Sequence, residues 1–435
     1  MGVTPLPPRP ASIARSIEAA RSWLLARQNA EGFWCAELEG DTTLESYLIL
    51  VDAFLSRLPR RDSGPGAPHR SEALARVIRE EALAGGGWAQ YPGGPPELSV
   101  SVLSYFALKI AGDPAEAPHM LRSRDVIRRL GGAARANTYT KYHLALFGQY
   151  PWSEVPAIPP EMVFLPGGGP FNIQDMSSWS RTIFVPLSIL YAMKVVSPLP
   201  AASGVPELFT GVDGDGPASA GRATSAEGAT VADRAWKKLF SGVDRALKVA
   251  ERFPGAAALR RLAIQRASAW MIERFDASDG LSAILPAMAC SVMALKVLGY
   301  APEHPLFAAQ LGYLDGLLLA DATAGSLRMQ PCLSPVWDTV LASHALVQTG
   351  LLPDHPALRR AASWLLGKQT TRNGDWSQRN PAAPGGWYFE HRNEFYPDVD
   401  DTCMALMVLR HTRADAPAAT QDAAVRRGLQ WMLGM

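Results

Sequence analysis

The chain has 435 residues, 48% of them apolar, which is enough for at least one large core and long enough for two domains or more. Its 42 basic and 41 acidic residues nearly cancel, so no global field draws in nucleic acid and any membrane contact has to be local. Cys35, Cys290, Cys332 and Cys403 show none of the paired spacing of a zinc or redox site, which points to a reducing compartment.

The N-terminal MGVTPLPPRP has no apolar core followed by a small-residue cleavage site, so it is not a secretory signal and the protein is expected to stay in the cytoplasm. A first helix is predicted where Ile13, Ile17, Ala20 and Leu24 share a face, and a second where Leu48, Val51, Leu55 and Leu58 do. Helical periodicity dominates from there on. Trp23-Leu24-Leu25-Ala26-Arg27-Gln28 followed by Gly32-Phe33-Trp34 introduces a motif that returns as Trp364-Leu365-Leu366-Gly367-Lys368-Gln369 followed by Gly374-Asp375-Trp376. Weaker copies stand at Trp270 to Arg274 and before Gly87-Trp88. A Gln at a helix end can bond the free backbone groups there, and the Trp after the turn offers a broad face to pack on its amide. Repeated units that tie a helix end to its neighbour suggest a barrel or toroid of helices, because one pair cannot bury its apolar side alone.

Pro59 to Pro68 and Gly211 to Thr230 read as surface loops inserted into this scaffold. The longest apolar stretch, Thr182 to Val196, holds Pro186, Ser188 and Lys194 and is shorter than the roughly 20 residues a spanning helix needs. Trp236 to Phe253 sets Leu239, Phe240, Val243, Leu247 and Ala250 against Lys237, Lys238, Arg245, Lys248 and Arg252, a pattern that suits either the membrane interface or a packed surface helix. The final Gly428-Leu429-Gln430-Trp431-Met432-Leu433-Gly434-Met435 starts another copy of the repeat, and a truncated chain is the expectation.

The sharpest chemical signal is Tyr396-Pro397-Asp398-Val399-Asp400-Asp401-Thr402-Cys403, at the start of the helical run containing Met404, Leu406, Met407 and Leu409. Three carboxyls so close repel one another, and burial helps one of them keep its proton. The helix N-terminus favours the anion and so makes that group a stronger acid. Protonating an alkene requires this combination. Two other readings stay open: an acidic cap in which Asp398 or Asp400 accepts backbone N–H bonds, and a magnesium site for a diphosphate. The second wants cations, and 389–410 offers only His391, Arg392 and Arg410. Trp387, Tyr388, Phe389, Phe395 and Tyr396 precede the cluster, and ring faces can stabilise a migrating cation without trapping it. Trp337 and Trp179 sit in apolar or hydroxylic contexts of the same kind.

Asp398 to Thr402, the Gln-Trp repeats, Ser334-Pro335-Val336-Trp337-Asp338-Thr339, Trp88 to Pro96 and Ser177-Ser178-Trp179-Ser180-Arg181 together closely resemble squalene-hopene cyclase, over about Ser12 to Met435. The resemblance implies an all-α fold of two α/α barrels. Residues 1–40 and 331–435 would belong to a catalytic barrel and 41–330 to an inserted one. It implies a monotopic enzyme on the cytoplasmic side of the membrane that cyclises squalene to hopanoids without cofactor or metal. Asp400 matches the proton donor, Asp398 and Asp401 the flanking carboxylates, and Trp337, Phe389 and Trp179 the cavity aromatics. Asp338 matches a carboxylate near the acid. The chain departs from the family at Leu44-Glu45-Ser46-Tyr47, where Glu usually directly precedes Tyr, and at Cys403, which replaces a small apolar residue. Family members also continue past this point to supply a histidine for the donor and further aromatics. The expectation is therefore an incomplete catalytic barrel that needs a C-terminal companion chain or a second copy, the alternative being a non-catalytic remnant that binds polyisoprenoid or membrane. A prenyltransferase-like subunit ranks lower, since the Cys and His positions form no zinc ligand set.

Overall fold

The computed structural model describes residues 11–57, 70–166, 172–209, 242–249, 255–321, 323–378 and 380–435. Both predicted surface loops, Pro59 to Pro68 and Gly211 to Thr230, lie outside them, as does most of Trp236 to Phe253. The described chain is mostly helical. Its α-helices run as α1 (Ala11–Ala26), α2 (Thr43–Phe54), α3 (Arg70–Glu80), α4 (Leu98–Ala111), α5 (Pro118–Arg129), α6 (Thr138–Leu146) and α7 (Ser178–Met193). After a helical stretch at 242–249 come α8 (Ala256–Glu273), α9 (Leu285–Val297), α10 (Pro305–Asp315), α11 (Pro335–Gln348), α12 (Pro356–Gly367), α13 (Val399–His411) and α14 (Ala418–Gly434). A short antiparallel hairpin, β1 (Leu318–Asp321) and β2 (Ser326–Met329), is an addition to the expected helical set. Asp321 Oδ1 accepts the Thr323 and Ala324 N–H groups and Gly325 takes a positive φ of 61°, so the turn between the strands is built by local chemistry.

The chain divides into two compact units: Met1–Glu37 with Asp276–Ala283 and Cys332–Met435, and Leu38–Phe275 with Ile284–Pro331. In the second unit, helices such as α2, α4 and α9 are apolar and buried nearly all round. Amphipathic α3 and α5 cover them with one face. Glu45 is buried in α2, where it accepts the Met329 N–H at 2.9 Å and burial pushes its carboxyl up to about 7. Longest of the apolar stretches, α7 keeps Pro186 in its interior. No helix among the described residues is long and apolar enough to cross a membrane. In the first unit, Val336 and Val340 of α11, Ala362 and Leu365 of α12, and Ala405, Val408 and Leu409 of α13 close around Trp387 and Tyr388.

The repeats are clasps between helices. The Trp34 indole N–H donates to Leu24 O at 2.8 Å, Trp88 to Ile78 O at 2.6 Å and Trp387 to Leu365 O at 2.7 Å, each two residues before its helix ends. Gln28 Nε2 donates at 2.8 Å to both Gly32 O and Ala357 O, and Gln369 Nε2 to Gly385 O at 2.7 Å and Ala424 O at 2.8 Å. Arg360 and Arg427, three residues beyond those alanines, donate back to the two Gln side chains. Two details differ from the sequence reading. The turn equivalent to Gly32-Phe33-Trp34 is Gly385-Gly386-Trp387, not Gly374-Asp375-Trp376, because the loop after Gln369 is much longer than the one after Gln28. Trp376 instead meets Trp431 edge-on at 5.7 Å. The Trp of each clasp works through its N–H on a helix-end carbonyl, which satisfies one of the acceptors a helix leaves free.

Candidate active site

The start of α13 is set by the clasp that precedes it. Asp398 N–H donates to Trp387 O at 2.9 Å, and Thr402 Oγ1 accepts the Trp387 N–H at 2.9 Å while donating to Asp398 O at 2.6 Å. Asp398 is the N-cap, its Oδ1 taking the Asp401 N–H at 2.7 Å. The second unit repeats this register: Glu97 caps α4 through Val100 N at 2.8 Å, its own N–H meets Trp88 O at 2.8 Å, and Ser101 Oγ takes the Trp88 N–H at 3.0 Å. The first carboxyl of the cluster thus fills a capping position that the fold uses elsewhere with no acid cluster behind it.

Asp401 stands three residues on, at the position from which a capping box would reach back to the cap residue's N–H. That N–H is already given to Trp387 O, so the Asp401 carboxyl turns to the Asp398 carboxyl and hydrogen-bonds to it. Asp401 is 1% exposed. Burial first, then Asp398, Glu390 and Asp400, pushes it up to about 10, so it carries the proton of the pair. Burial also raises Asp398, against the hydrogen bonds from Asp401.

Asp400, which the family resemblance matches to the proton donor, is exposed. It shares the open face of α13 with Val399 (43% exposed), Cys403 and Met407 (42% exposed), while Asp401, Thr402, Ala405, Val408 and Leu409 turn inward. Spacing explains this: positions i and i+3 of a helix share a face, so Asp401 follows the half-buried cap and Asp400 does not.

Trp337 and Phe389 do come together, stacked at 6.3 Å and 24° between planes, because Val336 N–H holds Phe389 O at 3.2 Å. Asp338, on the first turn of α11, accepts Ala36 N–H at 2.7 Å and the Ser334 hydroxyl at 2.9 Å, and burial raises its carboxyl. Trp179 belongs to the other unit, on the first turn of α7, and is 48% exposed. Sequence reasoning passed over Glu390, which is 1% exposed, accepts Asn393 Nδ2 at 2.9 Å, and is pushed up to about 8 chiefly by burial. A lone acid closing the aromatic run Trp387-Tyr388-Phe389 was the available signal. The groups acting most strongly on Asp401 are all carboxyls, so the cluster cannot hold a full set of negative charges and shares protons instead. Among the described residues no three His, Cys, Asp or Glu side chains are grouped to hold a metal ion.

The model of the squalene-hopene cyclase N-terminal domain matches residues 17–323, and that of the C-terminal domain matches 333–435. The chain is 37% identical over 424 residues to a squalene–hopene cyclase of Bradyrhizobium diazoefficiens, covering 97% of this chain and 61% of the relative. It is 35% identical over 425 residues to a squalene–hopene cyclase of Alicyclobacillus acidocaldarius (97% and 63%), and 31% identical over 427 residues to a dammaradiene synthase of Dryopteris crassirhizoma (98% and 59%). The chain spans about three fifths of the length of these curated relatives.

Proposed function

The chain belongs to the squalene-hopene cyclase family, and on that premise we propose that it carries the acid of a class II terpene cyclase that protonates squalene and directs its closure to hopanoids. The observation behind this reading is the hydrogen-bonded Asp398–Asp401 pair, which stores a proton at neutral pH beside the start of α13. In the proposed step, Asp400 gives its proton to a terminal double bond and a new C–H bond forms from the π pair. The resulting cation is consumed by successive double bonds. Loss of a proton ends the sequence in a hydrocarbon and capture of water ends it in an alcohol, so the main path is an isomerisation. Asp398 and Asp401, the flanking carboxyls, return a proton to Asp400 after each turnover. Trp337 and Phe389 offer ring faces to the cations, each contributing about 0.5–2 kcal/mol, and Asp338 braces the start of α11. No cofactor or metal takes part.

Asp400 can act only when its face is covered, since a cation formed at an open face would meet water. A C-terminal companion chain or a second copy of this chain is the proposed cover, and the exposed Val399 and Met407 beside Asp400 give it apolar surface to bind. The fold we propose is a pair of α/α barrels, the catalytic one completed by that cover. The divisions near Glu37 and Cys332 support the outer bounds of domains at 1–40 with 331–435 and at 41–330, while Asp276–Ala283 joins the first of them. We place the protein on the cytoplasmic side of the membrane as a monotopic enzyme. Within the described part of Trp236 to Phe253, helical residues 242–249 expose Val243 and Val249 alongside Arg245, which supports an interfacial helix.

The test incubates squalene with this chain alone and with the C-terminal region of the Alicyclobacillus acidocaldarius relative, with products read by gas chromatography and mass spectrometry. Hopanoid from the mixture that disappears with Asp400→Asn supports the assignment. Product that survives Asp400→Asn refutes it, and loss with Asp401→Asn alone moves the donor role to Asp401. The exposure of Asp400 favours one rival, a non-catalytic chain that binds polyisoprenoid. Squalene binding with no product from any mixture would establish that rival.

A further inference from the structure

The three clasps keep one register. Four residues after the carbonyl that takes the indole N–H stand Gln28 (after Leu24), Gln369 (after Leu365) and Ala82 (after Ile78). Two residues before each Trp is a buried glycine, Gly32, Gly385 or Gly86, pressed on the backbone of a facing helix. An added Cβ would lie 2.7 Å from Arg360 C at Gly32, 2.7 Å from Arg427 C at Gly385 and 2.5 Å from Arg122 C at Gly86. The clasp of the second unit therefore has the same frame as the two in the first, with a methyl group where they carry an amide.

In the first unit that amide is bonded on three sides. Gln28 Nε2 donates to Gly32 O and Ala357 O, and Arg360 donates to Gln28 Oε1. Gln369 Nε2 donates to Gly385 O and Ala424 O, and Arg427 Nη2 donates to Gln369 Oε1 at 2.6 Å. The counterparts in the second unit are Gly86 O, His119 O and Arg122, since His119 precedes Arg122 by three residues as Ala357 precedes Arg360. Among the described residues the Arg122 guanidinium has no hydrogen-bond or ion-pair partner, and no backbone N–H donates to Gly86 O. Charges hold this frame shut without an amide. Arg79, next to Ile78, pairs with Asp113 at 2.6 Å and Glu72 at 2.8 Å, and His119 Nε2 stands 2.7 Å from Asp113 Oδ2, so the His119 ring is engaged there.

We propose that the clasp of the second unit is a binding site for a small primary carboxamide, which supplies in trans what Gln28 and Gln369 supply in cis. Arg122 donates to the amide oxygen, and the two amide N–H groups go to Gly86 O and His119 O. One acceptor and two donors on a single flat group describe a primary carboxamide. A carboxylate would set its oxygens against the two carbonyls, and an N,N-dialkyl amide has no N–H to give them. The bound amide ties the end of α3 to the start of α5. This site lies outside the acid cluster, stands apart from the cyclase reading and is tested without turnover.

Saturation-transfer NMR of the purified chain with propionamide reads the contact directly. The wild type is expected to bind propionamide and to ignore propionate and N,N-dimethylpropionamide. Ala82→Gln places the chain's own amide in the frame, so it should abolish the signal and raise the urea midpoint. Arg122→Ala removes only an exposed side chain, leaves the Gly86 backbone contact in place, and should weaken binding by about tenfold or more. It serves as the measurement if Ala82→Gln does not fold. Propionamide binding that is unchanged in either variant, or matched by N,N-dimethylpropionamide, overturns the proposal. So does a wild type that binds no propionamide.

Discussion

Gly385→Ala probes the clasp that sets up the acid cluster. An added Cβ would stand 2.6 Å from Arg427 O and 2.7 Å from Arg427 C, both on the backbone of α14. Carbon contacts are comfortable from about 3.5 Å, and backbone cannot swing aside as a side-chain tip can, so α14 has to retreat by most of an ångström. That overpacking costs about 1–3 kcal/mol. The retreat also stretches the bonds of Gln369 Nε2 to Gly385 O and Ala424 O and of Arg427 to Gln369, each contributing about 0.5–1.5 kcal/mol. A loss of about 3 kcal/mol in the first unit follows. Gly367→Ala is the control, because nothing lies within 4 Å of its added Cβ at the end of α12, and alanine there should stabilise by about 0.5 kcal/mol. Urea unfolding followed by the fluorescence of buried Trp387 and Trp431 reads both variants through their midpoints. A Gly385→Ala midpoint equal to that of the wild type, or a Gly367→Ala chain equally damaged, would show that the clasp does not bear on stability as argued.

Asp401 provides a pH test. Its folded carboxyl is held up to about 10 against an ordinary 3.8, so between those values the folded chain keeps a proton that the unfolded chain releases. Stability from this group is complete below about pH 4 and is lost as pH rises toward 10, and Asp401→Asn should flatten the decline of thermal stability on the alkaline side. A wild-type decline that survives the substitution would place the titrating group elsewhere. The cysteines test the exposed face of α13. Cys403 is open to solvent, while Cys290 is fully buried and burial pushes its thiol up to about 12. A maleimide should label Cys403 rapidly and Cys290 only on unfolding, and a bound cover should protect Cys403. Labelling of Cys403 that is equally fast with the cover in place would argue against that face being the interface.

Helical class and the clasp motif were legible because both are local. Apolar spacing selects a helix face, and Gln28, Gly32 and Trp34 stand close enough in sequence to announce one unit. The partner of Gln369 was misread because the nearest Gly-x-Trp, ending at Trp376, precedes the Gly385-Gly386-Trp387 turn that the helix end accepts. Glu390 went unnoticed for a related reason. It is bonded to Asn393, which also reaches Ser282 O in a segment more than a hundred residues earlier, so its setting is a tertiary one.

The order of carboxyls in Asp398-Val399-Asp400-Asp401, with Pro397 before it, determined by itself that a capped helix would begin there with mutually repelling acids, since capping and like-charge repulsion act over a few residues. Which acid keeps its proton was decided only by tertiary structure. Desolvation is the largest influence on Asp401, and it depends on what packs over each face of α13. Trp387, Thr402 and Glu390 lie on the side of Asp401, and nothing in the described chain covers Asp400.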